Sequence, residues 1–281
     1  MLVTTDHSRD RLGLNYIYPV ISRRAGGLSL GINLNTNNAC NWRCIYCQVP
    51  GLKRGKAPLT DLHLLEQELR TVLDDIFNGD FYTRLSIPDE SRNIRDISIS
   101  GNGEPTSSQI FDRVIERIGN IKNEYNLPEN LKLVLITNGS LLHRQVVQKG
   151  IATLGKMNGE VWFKLDSATN SGIRKINNTK LSIEKAAKNL VTSAKLCPTW
   201  VQTCVFACNG KPPTEMEQQA YLDFLTSLPS GNTAIKGVLL YGIARPSMQK
   251  ESSSLSRLPE EWLEQFARKI KRTGITVKIS V

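Results

Sequence analysis

The sequence predicts an α/β protein built as a partial (βα)6 barrel, a parallel sheet with its helices outside. Three observations carry that expectation. Runs of strand length recur six times, each followed by a segment whose apolar residues return every three or four positions. Strict alternation of strand and helix calls for parallel strands joined by crossover helices, and six units are too few for a closed eight-fold barrel. Finally, the residues least typical of a core all follow strand ends, where parallel α/β folds collect their chemistry.

Residues 1–27 read as an irregular polar lead-in with Arg23-Arg24 and Gly26-Gly27 pairs, and 28–281 as one core domain. Leu28, Leu30, Ile32 and Leu34 alternate as in a half-buried strand. Thr60-Asp61 starts a helix with Leu62, Leu65, Leu69, Val72, Leu73 and Ile76 on one face, ending near Asn78. A polar connector, 79–94, leads to the strand Asp96–Ser100 and the turn Gly101-Asn102-Gly103-Glu104-Pro105. Ser107 or Ser108 is then placed to cap a helix carrying Ile110, Val114, Ile118 and Ile121. Leu131–Ile136 is a continuous apolar strand running into Thr137-Asn138-Gly139-Ser140, with a helix from about Leu141. Val161–Leu165 is a strand leading to Asp166-Ser167, and Ser182 opens the next helix. Trp200–Phe206 follows, then a helix over 215–228 capped by Thr214, and the strand Val238–Ile243 ending near Arg245-Pro246. Pro259 opens a last helix stopped by Gly274, and Ile275–Ile279 suits a short seventh strand.

Composition narrows the class. With 40% hydrophobic and 22% charged residues, the 281-residue chain falls in the globular range, which argues against extensive disorder. No apolar run reaches membrane-spanning length and the start lacks the pattern of a signal peptide, so a cytoplasmic protein with no membrane association is expected. Six cysteines suit a reducing compartment that keeps thiols free for metal. A net charge of +10 suggests an anionic partner, a nucleic acid or an acidic protein surface.

Three of the cysteines fall within eight residues, Cys40-Asn-Trp-Arg-Cys44-Ile-Tyr-Cys47. Structural zinc would want a fourth protein ligand, and the nearest histidine, His63, lies well downstream in a helix. A [4Fe–4S] cluster suits the trio better, because three thiolates hold three irons and leave the fourth open. Cys204 and Cys208 share a face only if their strand stays extended, which separates their Cα atoms by roughly 13 Å. These two and Cys197 therefore read as structural thiols. No Ser-His-Asp or phosphate-loop pattern is present.

The pattern C-x3-C-x-Tyr-C of Cys40, Cys44 and Cys47 resembles the signature of the radical S-adenosylmethionine (SAM) superfamily. That resemblance implies a [4Fe–4S] cluster whose open iron is chelated by SAM, reductive cleavage to a 5′-deoxyadenosyl radical, and hydrogen abstraction from a substrate. It also implies the partial barrel. Gly101-Asn102-Gly103-Glu104-Pro105 resembles the family's Gly-Gly-Glu-Pro motif, which holds the SAM amino group, with Asn102 inserted between the glycines. By the same resemblance Asn138, Lys164, Asp166, Gln202 and Arg245 are candidates for contacts with the ribose, the carboxylate or the rest of SAM. Gly-Asn-Gly-Glu-Pro, Thr-Asn-Gly-Ser, Lys-Leu-Asp and Arg-Pro in this order are similar to the Fe–S oxidoreductases related to wyosine-base synthases, which act on tRNA. Those enzymes carry further cysteines upstream of the motif, whereas no cysteine precedes Cys40 here. The implied partners are a low-potential electron donor (ferredoxin or flavodoxin) and a tRNA or nucleoside substrate. The alternatives are an activase acting on a protein or peptide, and a zinc-stabilised nucleic-acid-binding module without catalysis.

Overall fold

The computed structural model describes residues 11–22, 25–229, 231 and 235–280. In chain order the elements are β1 (Ile17–Ser22), β2 (Gly27–Ile32), the short β3 (Ala39–Cys40) and β4 (Lys53–Arg54), α1 (Leu62–Asn78), the single turn α2 (Phe81–Arg84) and β5 (Ile94–Ile99). Next come α3 (Phe111–Glu124), β6 (Lys132–Thr137), α4 (Gln145–Lys156), β7 (Glu160–Lys164), α5 (Asn170–Asn177) and α6 (Ile183–Leu196). The chain closes with β8 (Thr199–Val205), β9 (Ala207–Cys208), α7 (Glu215–Thr226), β10 (Gly237–Gly242), β11 (Leu255–Ser256), α8 (Glu260–Lys271) and β12 (Val277–Ser280).

Eight strands form one sheet in the order β1-β2-β5-β6-β7-β8-β10-β12. From β2 onward every neighbour is parallel, and the sheet curls into a half-barrel. Strand alternation sorts its side chains. Leu30, Ile97, Leu135, Phe163, Val201 and Leu240 point out into the main core, beneath the helices. On the inner face, Val134, Trp162, Trp200 and Leu239 pack together as a floor, while Ser98, Lys164, Gln202 and Tyr241 line a lumen.

The six strand–helix units are present, and several local expectations need correction. The lead-in is not irregular throughout. β1 pairs antiparallel with β2, from Ile17↔Ile32 to Ser22↔Gly27, and its Ile17 and Ile21 enter the main core. The first ten residues and Arg23-Arg24 lie outside the described residues. Neither Ser107 nor Ser108 caps α3. Pro105–Ser107 is a 3-10 turn, Ser108 ends it, and α3 starts after Ile110 without a side-chain cap. The helix expected from Leu141 begins at Gln145, because residues 138–144 are spent in irregular structure and turns. The connector 79–94 contains α2 and a 3-10 turn. One helix, α5, lies outside the sequence expectation: its eight residues span only about two turns, too short a window for apolar periodicity to mark a helix. Thr169 caps it, accepting from the Gly172 amide, and Asn178 ends it in the left-handed region at φ 49°. Asp61, Ser182 and Thr214 cap their helices as expected, Thr214 through a capping box with Glu217.

Candidate cofactor site

The cysteine loop leaves the sheet after β2 and is tied to two remote segments. The C-terminal end of α5 takes two of its amides: Arg43 N–H donates to Asn177 O (3.2 Å) and Ile45 N–H to Ile176 O (2.8 Å). Asn178 Nδ2 in turn donates to Arg43 O. From the other side, Ser247 Oγ donates to Ile45 O (2.7 Å) and Met248 N–H to Cys47 O (2.9 Å), while Arg43 forms a two-pronged ion pair with Glu251. Trp42, Ile45 and Val49 are buried under the loop. Cys40, Cys44 and Cys47 all line the mouth of a cavity of about 300 Å³ inside the half-barrel.

The Gly101–Pro105 turn forms the adjoining wall. Gly103 meets the loop backbone directly: a Cβ there would stand 2.0 Å from the Ala39 carbonyl oxygen. Asn102 donates from its backbone to Asn33 Oδ1 and from Nδ2 to Asn38 Oδ1, so the inserted residue braces the turn. The Glu104 carboxylate is fully buried and gathers four donors. Oε1 accepts from Thr106 N–H (3.1 Å), Thr106 Oγ1 (2.5 Å) and Thr137 Oγ1 (2.6 Å), and Oε2 accepts from Asn138 N–H (2.7 Å). Burial pushes this carboxyl above its ordinary range against the pull of those donors. Each carboxylate oxygen offers about two lone-pair sites, so Oε2, with one donor, keeps room for another.

Of the residues singled out in the sequence, Gly101, Asn102, Gly103, Glu104, Asn138, Lys164, Gln202 and Arg245 line this cavity, and Pro105 and Asp166 do not. Pro105 is buried at the start of the 3-10 turn. Asp166 lies behind the cysteine loop, where its carboxylate accepts from Tyr46 Oη (2.5 Å), Asn177 Nδ2 (2.7 Å) and Cys204 N–H (3.0 Å). Asn138 braces the loop as well: its Nδ2 donates to Asn41 Oδ1, and its Oδ1 accepts from Ser140. Lys164 Nζ donates to Tyr46 Oη (2.7 Å) and Tyr241 Oη (3.3 Å). Burial alone would depress that ammonium, but the charges of Asp166, Tyr241 and Cys44 outweigh it and raise it well above the usual lysine value. Gln202 pairs in register with Lys164 on the neighbouring strand; it is buried, and its Nε2 has no hydrogen-bond partner among the described residues. A buried amide without a partner inside a cavity marks a place for an acceptor atom.

Tyr46, Asn177 and Tyr241 escaped the sequence reading as site residues. Tyr46 enters the sequence pattern only as the aromatic of the motif, and Asn177 sits on α5, which the local periodicity does not mark. The remaining cysteines stand apart from the loop trio in role. Cys197 is in the main core, donating to Gly159 O, and Cys204 packs with Ile45 and Phe206; Cys208 is half-buried on β9.

The donor set fits an iron–sulfur cluster. Cys40, Cys44 and Cys47 line one cavity, and three thiolates with no histidine or carboxylate among them are the ligand chemistry of iron–sulfur clusters. Burial pushes the Cys40 and Cys44 thiols up to about 12, so at neutral pH only a bound metal would hold them as thiolates.

No protein-family model matches the chain. It is 27% identical to a UPF0026 protein of Helicobacter pylori over 83% of its own length and 67% of that protein. It is also 26% identical to a GTPase Obg of Brachyspira hyodysenteriae, over 54% of this chain and only 19% of that one. Among the solved structures it resembles in fold are radical SAM enzymes. TYW1 with a lysine-pyruvate adduct superposes with a TM-score of 0.57 at 15% identity, covering 88% of this chain and 74% of TYW1. Streptococcus suis SuiB bound to S-adenosylmethionine gives 0.57 at 12% identity, over 92% and 48%. A spore photoproduct lyase with bound AdoMet and dinucleoside spore photoproduct gives 0.52 at 9%, over 99% and 79%. The half-barrel is the fold of these enzymes.

Proposed function

We propose that the chain is a radical SAM enzyme. The observation that carries the reading is the convergence of Cys40, Cys44 and Cys47 on one cavity with Glu104 and the unpartnered Gln202 amide. Cys40, Cys44 and Cys47 would hold three irons of a [4Fe–4S] cluster. When bound, the cluster and SAM supply reductive cleavage of SAM to a 5′-deoxyadenosyl radical that takes hydrogen from the substrate.

The chain's own residues bind, orient and exclude water. Glu104 Oε2, flanked by Gly101, Asn102, Gly103 and Pro105, would accept from the ammonium of SAM. Gln202 and Lys164 would donate to acceptor oxygens of the bound molecules, while Asn138 and Arg245 would shape the cavity wall. Asp166 acts one layer back by holding Tyr46. The floor of Val134, Trp162, Trp200 and Leu239 shuts the lumen to water from below.

For the substrate, the resemblance to wyosine-base synthases and the net charge of +10 favour a nucleoside or tRNA. The same charge suits an acidic low-potential donor, ferredoxin or flavodoxin. A reducing cytoplasm suits the cluster, and no described helix is long and apolar enough to cross a membrane. The test is anaerobic reconstitution with iron and sulfide, then SAM and dithionite, following 5′-deoxyadenosine, with Cys44→Ala alongside. Product from the wild type alone supports the reading; a colourless protein that takes up no iron overturns it. Product formation without affinity for RNA would remove the tRNA assignment and leave the chemistry.

A further inference from the structure

Asn177 is buried, with 1% of its surface exposed, at the last position of α5. Its side-chain Nδ2 reaches two groups at once: Cys44 Sγ at 3.2 Å and Asp166 Oδ2 at 2.7 Å. Its backbone carbonyl takes the Arg43 amide, so the residue is fixed to the loop whose sulfur it contacts. Asp166 is fixed in turn by Tyr46 and by the Cys204 amide. An amide held this way has little freedom to turn away from the sulfur, since one N–H is aimed by the carboxylate and the other is left for Cys44.

We propose that Asn177 is a positioning residue that sets the reduction potential of the cluster by donating a hydrogen bond to the Cys44 thiolate. The proposal rests on the cluster assignment above. Reduction adds one electron to the cluster and moves no proton, so it increases the negative charge shared by the cluster and its thiolates. A donor aimed at a ligating sulfur stabilises that added charge and raises the potential. Trp42 N–H, 3.4 Å from Cys40 Sγ, acts in the same sense but belongs to the backbone and survives any side-chain substitution. Among the described residues, Asn177 is thus the side chain that donates to a loop sulfur and opens this effect to mutation.

The experiment compares wild type with Asn177→Leu, which keeps the shape and removes the donor, and with Asn177→Ala in case leucine is not accommodated. Each protein is reconstituted anaerobically and assayed for iron and sulfide. The reduced signal is then followed by electron paramagnetic resonance during a dithionite titration without SAM. The expected result is full iron loading with a midpoint potential below that of wild type in either variant. Full loading with an unmoved or raised potential overturns the proposal. Loss of loading in both variants, with a cluster in wild type, also overturns it, because the residue would then act in assembly alone. No iron in wild type removes the cluster assignment, and this proposal with it.

Discussion

Glu104→Gln tests whether the Gly101–Pro105 turn is built around a charged acceptor. Glutamine keeps one oxygen and replaces the other with an NH2 group. With its oxygen at the Oε1 position it still accepts from both threonine hydroxyls and from Thr106 N–H, but its NH2 then confronts the Asn138 amide. The opposite orientation sets the NH2 against three donors and is worse. The better orientation leaves one buried amide without an acceptor, a loss of about 1–3 kcal/mol. The other three bonds fall from charge-assisted to neutral strength, roughly half. Part of this is offset because neutralising a carboxylate whose burial already raises its pKa relieves desolvation. The net expectation is a loss of about 2–4 kcal/mol for the apo protein. Urea unfolding followed by circular dichroism, with an unchanged m-value, would report it. A loss below about 1 kcal/mol would refute the four-donor account of the site. Thr137→Val removes a single donor and should cost about 1 kcal/mol in the same assay.

Tyr46→Phe removes the bonds to Asp166 and Lys164 while keeping the ring, so about 2–4 kcal/mol of apo stability should be lost. Iron bound per chain after reconstitution should fall with it; unchanged values in both measurements would contradict the loop-anchoring role. Gly103→Ala drives a methyl into the Ala39 carbonyl, so melting should shift downward by an amount matching roughly 1–3 kcal/mol. Equilibrium dialysis against SAM should show weakened uptake by the folded fraction of that variant. Burial raises the Cys197 thiol from 9.0 to about 12, so its contribution is complete below pH 9 and lost as pH rises toward the folded value. Denaturation at a series of alkaline pH values should give a stability falling more steeply for wild type than for Cys197→Ala, by about 1.4 kcal/mol per pH unit. Equal slopes would mean the thiol is not shielded.

Much of the architecture is legible in the sequence because it is written in local periodicity. The six strand–helix units, the caps at Asp61, Ser182 and Thr214, and the cysteine loop at a strand end all follow from spacing and residue type. Strand β1 was not legible: Tyr18-Pro-Val-Ile lies in a polar segment, and its burial comes from pairing with β2. Nor was α5, whose eight residues carry too little periodicity to separate helix from turn.

The site divides along the same line. Motif spacing determined which residues carry the chemistry, since three thiolates within eight residues and a carboxylate in a glycine-rich turn are unusual wherever the chain goes. Which side chains face the lumen and which hold the loop from behind is decided by long-range contacts. Asp166 and Lys164 are two residues apart in sequence, yet one anchors the back of the cysteine loop and the other enters the cavity. The strand ends between them, so the alternation that would put both on one face no longer applies at Asp166. Asn177 reaches Cys44 across 133 residues, a contact that only the closing of α5 against the loop creates.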